Sequence, residues 1–285
     1  MTNAQSDTQI IVKLREKTGA GMMACKNALT EAGGDYDKAV EVLRKKGLAD
    51  AAKRSARVTK EGLISAHVCP DGRAAAIVEL QCETDFVAKT DEFQALAKTL
   101  AQEAAEGKIA STEATAERVK LLSGKLGENV VFARYARYEL DNPGLLAFYV
   151  HSAGSKKGAL IEFKAANDAA AKHEAVQELA RELAMQIVAM CPRWVKAGDV
   201  PAEIVAKEKE IAEAQIRKEN KPEAQIPKIV EGKIRKLFFG TTCLMDSVSM
   251  RDNKTPIKQL VETAGKTAGG ALEVVRFARY QLGGE

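Results

Sequence analysis

Gly62-Leu63-Ile64-Ser65-Ala66-His67-Val68 and Gly144-Leu145-Leu146-Ala147-Phe148-Tyr149-Val150 are two versions of one pattern. Each opens on glycine, continues through mostly apolar residues, and leads through a glycine-containing turn to a second apolar run, residues 74–80 or 158–163. Short runs bounded by turn residues read as strands, and two in succession read as a hairpin. A helical period follows each pair, from Glu92 or from His173. The likeness returns at the end of each copy, where Arg134-Tyr135-Ala136-Arg137-Tyr138-Glu139-Leu140 is echoed by Arg276-Phe277-Ala278-Arg279-Tyr280-Gln281-Leu282. The repeat predicts two related α+β subdomains with antiparallel sheets, each built from a hairpin and a third strand that arrives after helices.

The helical patterns of residues 92–106, 113–123 and 173–190 supply the cover for these sheets. The arginines of the closing strands read as edge or outer-face residues that limit aggregation. Ahead of the repeat lies a small three-helix unit, with helical patterns over residues 8–17, 22–32 and 36–46 and Gly47 as the last C-cap. Ile10, Ile11, Leu14, Met23, Ala28, Leu29, Ala39, Val40 and Leu43 form its expected core. Residues 48–60 carry helix formers and few large apolar groups, as an exposed helix or linker does. The second copy is interrupted by residues 201–237, whose isoleucines fall on helical spacings on both sides of Lys221-Pro222. Two amphipathic helices joined there make a helical hairpin. Its apolar stripe serves either a partner surface, self-association included, or the mutual packing of the two helices. The expected domains are residues 1–54, 55–140, 141–200 interrupted by the hairpin 201–237, and 238–285.

Basic and acidic residues number 43 and 39, so no strongly basic field marks the chain as a nucleic-acid binder, and aromatic residues at 5% leave little for base stacking. No apolar run is long enough to span a membrane, and residues 1–12 lack the form of a signal peptide, so a cytoplasmic protein is expected. The five cysteines, Cys25, Cys69, Cys82, Cys191 and Cys243, include no Cys-x-x-Cys pair and read as reduced thiols. His67, His151 and His173 have no nucleophile signature around them, and Gly265-Lys266-Thr267 lacks the leading glycine and strand of a phosphate loop. Neither enzymatic activity nor a cofactor or metal is expected, which leaves binding.

The candidate binding residues follow the second strand of the first copy, in Cys82-Glu83-Thr84-Asp85-Phe86-Val87-Ala88. Two readings fit. Thr84 or Asp85 caps the next helix while Phe86 folds back onto it as a staple. Alternatively, a short loop on a rigid scaffold presents the carboxylate and the ring outward.

These same residues carry a family resemblance. Cys82 to Ala88, together with Leu14-Arg15-Glu16-Lys17-Thr18-Gly19-Ala20-Gly21-Met22-Met23, Cys25-Lys26, Ala28-Leu29, Leu43-Arg44-Lys45-Lys46-Gly47 and Ala184-Met185-Gln186-Ile187, resemble bacterial elongation factor Ts over essentially the whole chain. The resemblance implies a ubiquitin-associated (UBA)-like N-terminal domain, a core of two subdomains and an inserted coiled coil. It implies a guanine nucleotide exchange factor whose partner is the translational GTPase elongation factor Tu, in its GDP-bound and nucleotide-free forms. Thr84, Asp85, Phe86, Val87 and Ala88 would then reach the Mg²⁺ and phosphate region of that GTPase, with Lys17, Thr18, Gly19, Ala20, Gly21, Met22 and Met23 as a second contact. Two places depart from the family pattern: Leu183, where many members carry histidine, and Thr242-Cys243-Leu244-Met245-Asp246-Ser247. A non-catalytic adaptor is the competing reading.

Overall fold

The computed structural model describes residues 3–218 and 222–284. Three helices open the chain, α1 (Asn3–Thr18), α2 (Met22–Glu31) and α3 (Tyr36–Arg54). The first copy of the repeat follows as β1 (Glu61–Val68), β2 (Ala74–Cys82), the four-residue α4 (Asp85–Ala88), α5 (Asp91–Ala105), α6 (Ala116–Leu126) and β3 (Val131–Glu139). The second copy supplies β4 (Gly144–Val150), β5 (Lys157–Ala165), the four-residue α7 (Asp168–Ala171) and α8 (Glu174–Met190). After α9 (Ala202–Lys218) and α10 (Ile226–Lys233) come a π-helical stretch, Ile234–Phe239, and α11 (Gly240–Thr242), before α12 (Ile257–Thr267) and β6 (Leu272–Gln281). The architecture is mixed α and β, with two small antiparallel sheets of strand order β1-β2-β3 and β4-β5-β6. In the second, β4 and β5 pair from Gly144 opposite Lys164 to Val150 opposite Gly158. By contacts the chain forms two compact units, one of Met1–Ser65, Val78–Tyr135 and Gln281–Glu285, the other of Ala66–Ile77 and Ala136–Tyr280.

In the first unit, Leu14, Cys25, Ala28, Leu29, Ala39 and Leu43 close a core among α1, α2 and α3. Asp35 caps α3 by accepting the Lys38 N–H at 3.0 Å. Met23 does not join this core and is 66% exposed. At about 100° per residue, it points away from the face that Cys25, Ala28 and Leu29 bury. Nor does Gly47 end α3, which continues for nearly two further turns to Arg54. The extension is not an exposed one: Ala51 is buried, and Arg54 donates through Nη1 to Ser123 O on α6 at 3.3 Å. The close approach of the two helices makes its demand on Gly124 of α6, where a Cβ would meet the Gly47 carbonyl oxygen at 2.8 Å, whereas a Cβ on Gly47 would stand at an ordinary 3.7 Å from Gly124 Cα. Phe93, Ala97, Leu100, Ala101 and Ala104 form the buried stripe of α5.

The second unit has its core where Ala159, Ile161 and Phe163 of β5 meet Val176, Leu179, Ala180, Leu183 and Ile187 of α8 and Val261 of α12. Leu183, the departure from the family pattern, is fully buried in this cluster. Gln186, also fully buried, holds the 247–250 segment: its Nε2 donates to Val248 O at 2.8 Å and its Oε1 accepts the Met250 N–H at 2.9 Å. Ala212 and Ile216 of α9 pack with Ile226 and Val230 of α10 and with Ile234, so the hairpin helices bury each other, while Ile211 and Leu237 stay exposed. Lys221, at the expected joint, lies outside the described residues.

The closing-strand arginines are not simply outer-face charges. Arg134 donates from Nε to Glu79 at 2.8 Å, and Arg276 does the same to Glu162 at 2.6 Å. Glu79 and Glu162 occupy matching places on β2 and β5, and both are buried. A buried carboxylate needs such a partner, so each copy pairs a strand glutamate with an arginine of its closing strand.

Candidate functional site

The chain between β2 and α5 turns twice in a short space. Thr84 has extended backbone and ends the strand, and its Oγ1 accepts the Val87 N–H at 3.4 Å, so it is the N-cap of the single turn α4. Thr90 repeats the device for α5, accepting the Phe93 N–H at 3.4 Å. Of the five tip residues, Val87 is buried and fixes α4 to the body, while Thr84, Asp85 and Ala88 are half-buried. Phe86 is 79% exposed, the most exposed of the large apolar side chains in the described residues. The capping reading and the presented-tip reading therefore both hold in part, and the staple does not form. Phe86 lies one residue before Val87, about 100° away around the helical turn, and its ring points outward where Val87 points in.

Electrostatics around the ring are local. Asp85 pairs with Lys89 at 2.6 Å, and the Lys89 Nζ lies 6.0 Å from the Phe86 ring centroid. Lys89 is largely in water and Asp85 about half so, and a pair this open to solvent contributes at most about 1 kcal/mol to stability.

Underneath, the tip is held by polar contacts that sequence reasoning missed. Glu128, immediately after α6, accepts the N–H of Glu83 at 3.1 Å and of Thr84 at 3.0 Å through Oε2, and the Thr84 hydroxyl donates to its Oε1 at 2.6 Å. Asn129 N–H donates to the Glu83 carboxylate at 2.7 Å, and Asn129 Nδ2 donates to the carbonyls of Ser55 and Arg57 at 3.3 and 2.8 Å. No helical or strand period marks Glu128; the only local signal is Gly127, whose left-handed φ of 76° ends α6.

The second candidate segment runs from the end of α1 to the start of α2. Thr18 donates to Leu14 O at 2.6 Å, and Gly19, at φ 69°, turns the chain. Lys17 lies over the Tyr36 ring at 5.3 Å, and Ala20 O accepts from the Cys25 thiol at 3.5 Å. Gly21 is extended at the N-cap of α2, and Met22 and Met23 project into solvent on its first turn. Lys17 to Gly21 line a cavity of about 520 Å³ whose opposite wall is Leu121 and Gly124 to Gly127 of α6. Both candidate segments thus meet the same stretch of chain. A Cβ on Gly19 would fall 2.5 Å from Lys125 Cγ, and three residues further on Glu128 holds Thr84.

Among the described residues, no group of three or more His, Cys, Asp or Glu side chains is placed to hold a metal ion, and none of the five cysteines is in a disulfide. Gly265-Lys266-Thr267 lies in the last turn of α12, not in a loop after a strand. No helix of the described residues is long and apolar enough to cross a membrane.

The family description Elongation factor TS matches residues 83–284, beginning one residue before the tip. Elongation factor Ts of Nitratiruptor sp. is 41% identical over 283 residues, covering 96% of this chain and 92% of the relative. The chain belongs to the elongation factor Ts family. The elongation factor Ts of Symbiobacterium thermophilum is likewise 41% identical, with 98% of this chain and 93% of the relative covered. That of Nostoc sp. is 39% identical over 294 residues, with the same coverage. Elongation factor Ts proteins thus match this chain over the three-helix unit as well as over both copies of the repeat.

Proposed function

We propose that this protein is a cytoplasmic guanine nucleotide exchange factor for elongation factor Tu, a binding protein without covalent chemistry of its own. The observation that carries the mechanism is Phe86, an exposed ring on a turn whose neighbours on both sides are fixed, Val87 by burial and Thr84 by Glu128. GDP on a GTPase is held through Mg²⁺ and through backbone groups that cradle its phosphates. A ring inserted beside that region displaces side chains that support the metal, and Asp85 next to it adds negative charge where the nucleotide's own charge is held. The factor then binds the nucleotide-free GTPase more tightly than the GDP form, and by reciprocal linkage it weakens GDP by the same factor. The segment Lys17 to Met23 serves as a second contact, with the flexible side chains of Met22 and Met23 as an adaptable apolar surface.

Phe86→Ala tests this reading. Loss of an aromatic anchor costs about 2 kcal/mol or more of partner stabilisation, so release of labelled GDP from elongation factor Tu, followed by stopped flow, should slow by at least about tenfold. The thermal midpoint of the factor should hardly move, because the ring touches little of its own fold. Unchanged GDP release would remove Phe86 from the mechanism.

A further inference from the structure

The duplicated body contains its own control for the tip. In the second copy, β5 also ends in an extended cap residue and a single helical turn: Asn167 Oδ1 accepts the Ala170 N–H at 2.8 Å, and α7 spans Asp168–Ala171. Thr84-Asp85-Phe86-Val87-Ala88-Lys89 corresponds to Asn167-Asp168-Ala169-Ala170-Ala171-Lys172, with Val87 and Ala170 both buried and Phe86 and Ala169 both exposed. The closing strands align in the same way. Gly127 ends α6 at φ 76°, and Gly269 follows α12 at φ 84°. The next residue is Glu128 in the first copy and Gly270 in the second. Gly270 has no room for a side chain there, since a Cβ would fall 2.3 Å from the Cβ of Ala166, the counterpart of Glu83.

The capped turn therefore forms in the second copy without a carboxylate behind it and without an aromatic ring on it. In the first copy the chain stands off far enough to admit Glu128, which binds two backbone N–H groups and the cap hydroxyl of Thr84. A carboxylate that accepts three hydrogen bonds from one short segment fixes its position and direction more tightly than a single cap bond does. The two features that distinguish the first turn from the second, the ring and the carboxylate, occur together.

We propose that Glu128 is a positioning residue for exchange: it sets the orientation of α4, and hence of the Phe86 ring, before the GTPase is met. This rests on the proposed role of Phe86. Glu128 itself touches no nucleotide and no partner. Its contribution is preorganisation, so that partner binding does not have to order the tip.

The test uses the full chain and GDP release from elongation factor Tu at saturating factor. Glu128→Ala should lower the maximal release rate about tenfold, with a much smaller change in the factor concentration at half-effect, because the rest of the contact surface is intact. Glu128→Gln retains an acceptor for the two N–H groups and should recover most of the rate, which general destabilisation would not produce. In the Phe86→Ala background, Glu128→Ala should add nothing, since both act through one ring. Amide exchange at Glu83 and Thr84 should accelerate in Glu128→Ala while α5 stays protected. If Phe86→Ala slows release but Glu128→Ala leaves the rate and these amides unchanged, the inference is overturned alone. If Phe86→Ala leaves release unchanged, the proposed role of the tip fails, and the inference with it. Should Glu128→Ala fold poorly, Thr84→Val removes the hydroxyl, and with it both its bond to Glu128 and its cap bond to the Val87 N–H, and should lower the maximal rate in the same sense; a full rate would overturn the inference.

Discussion

At the end of β2, Cys82 lies beneath the tip, and its thiol is pushed up to about 12, first by burial and then by the negative charges of Glu128 and Glu61. Its Sγ donates to Thr84 O at 3.1 Å, so the protonated form is also the bonded one. A thiol held that far above neutrality has almost no thiolate to react. Iodoacetamide at about pH 8.5 should therefore modify exposed Cys191 and spare Cys82 in the folded protein. Peptide mass spectrometry reads this directly, and early labelling of Cys82 would show the tip opening away from the sheet. At this scale the sequence was legible where chemistry is local. Thr84 as a cap follows from a strand meeting a helix, whereas the same pattern left open whether Phe86 folds back as a staple or points outward. Glu128 was not legible, because its partners are the backbone of a segment more than forty residues earlier and its side chain fits no period. The same holds for Arg134 and Arg276, whose alternation suggested an outer face and whose buried partners, Glu79 and Glu162, come from another strand.

Between elements, two glycines make opposite demands. Gly124 on α6 faces Gly47 on α3, where an added Cβ would stand 2.8 Å from a carbonyl oxygen and 2.9 Å from its carbon. Backbone cannot rotate aside as a side chain can, so Gly124→Ala has to push the helices apart. Overpacking of this kind costs about 1–3 kcal/mol. Gly232 sits exposed inside α10 with nothing within 4 Å of its Cβ position, so Gly232→Ala gains helix propensity, about 0.5–1 kcal/mol. Urea unfolding of the two variants should move in opposite directions, and amide exchange within α3 should rise only in Gly124→Ala. Equal behaviour would mean that the α3–α6 crossing yields freely. The hairpin strands and the long helices α5 and α8 were readable because each is long enough to show its period. The four-residue turns α4 and α7 are shorter than two helical repeats and show none. The continuation of α3 past Gly47 was hidden for a related reason. Glycine often closes a helix, and here Gly47 instead lies inside α3, whose later turn packs on α6 through buried Ala51 and the Arg54 bond to Ser123 O.

Across the whole molecule, duplication separates what the fold needs from what sits on it. Both copies keep the strand-end cap, the buried residue of the short turn, and the glutamate–arginine pair between second and closing strands. These recur because any sheet of this design has to end its strand, cover its turn and neutralise its buried carboxylate. The ring of Phe86 and the carboxylate of Glu128 do not recur, and Ala169 and Gly270 stand in their places. The repeat was visible in the sequence through its strands, yet the bare turn of the second copy was not, because the helical period is legible only from His173 and Asn167-Asp168 followed by three alanines shows none. This asymmetry predicts how a transplanted ring should behave. Ala169 is exposed, so Ala169→Phe should fold with a stability within about 0.5 kcal/mol of the parent. In the Phe86→Ala background it should not restore GDP release from elongation factor Tu. The turn that would carry the new ring has Gly270 behind it where α4 has Glu128. A release rate brought back toward the parent value by Ala169→Phe would mean that an exposed ring on either copy suffices and that the carboxylate beneath the first tip is incidental to exchange.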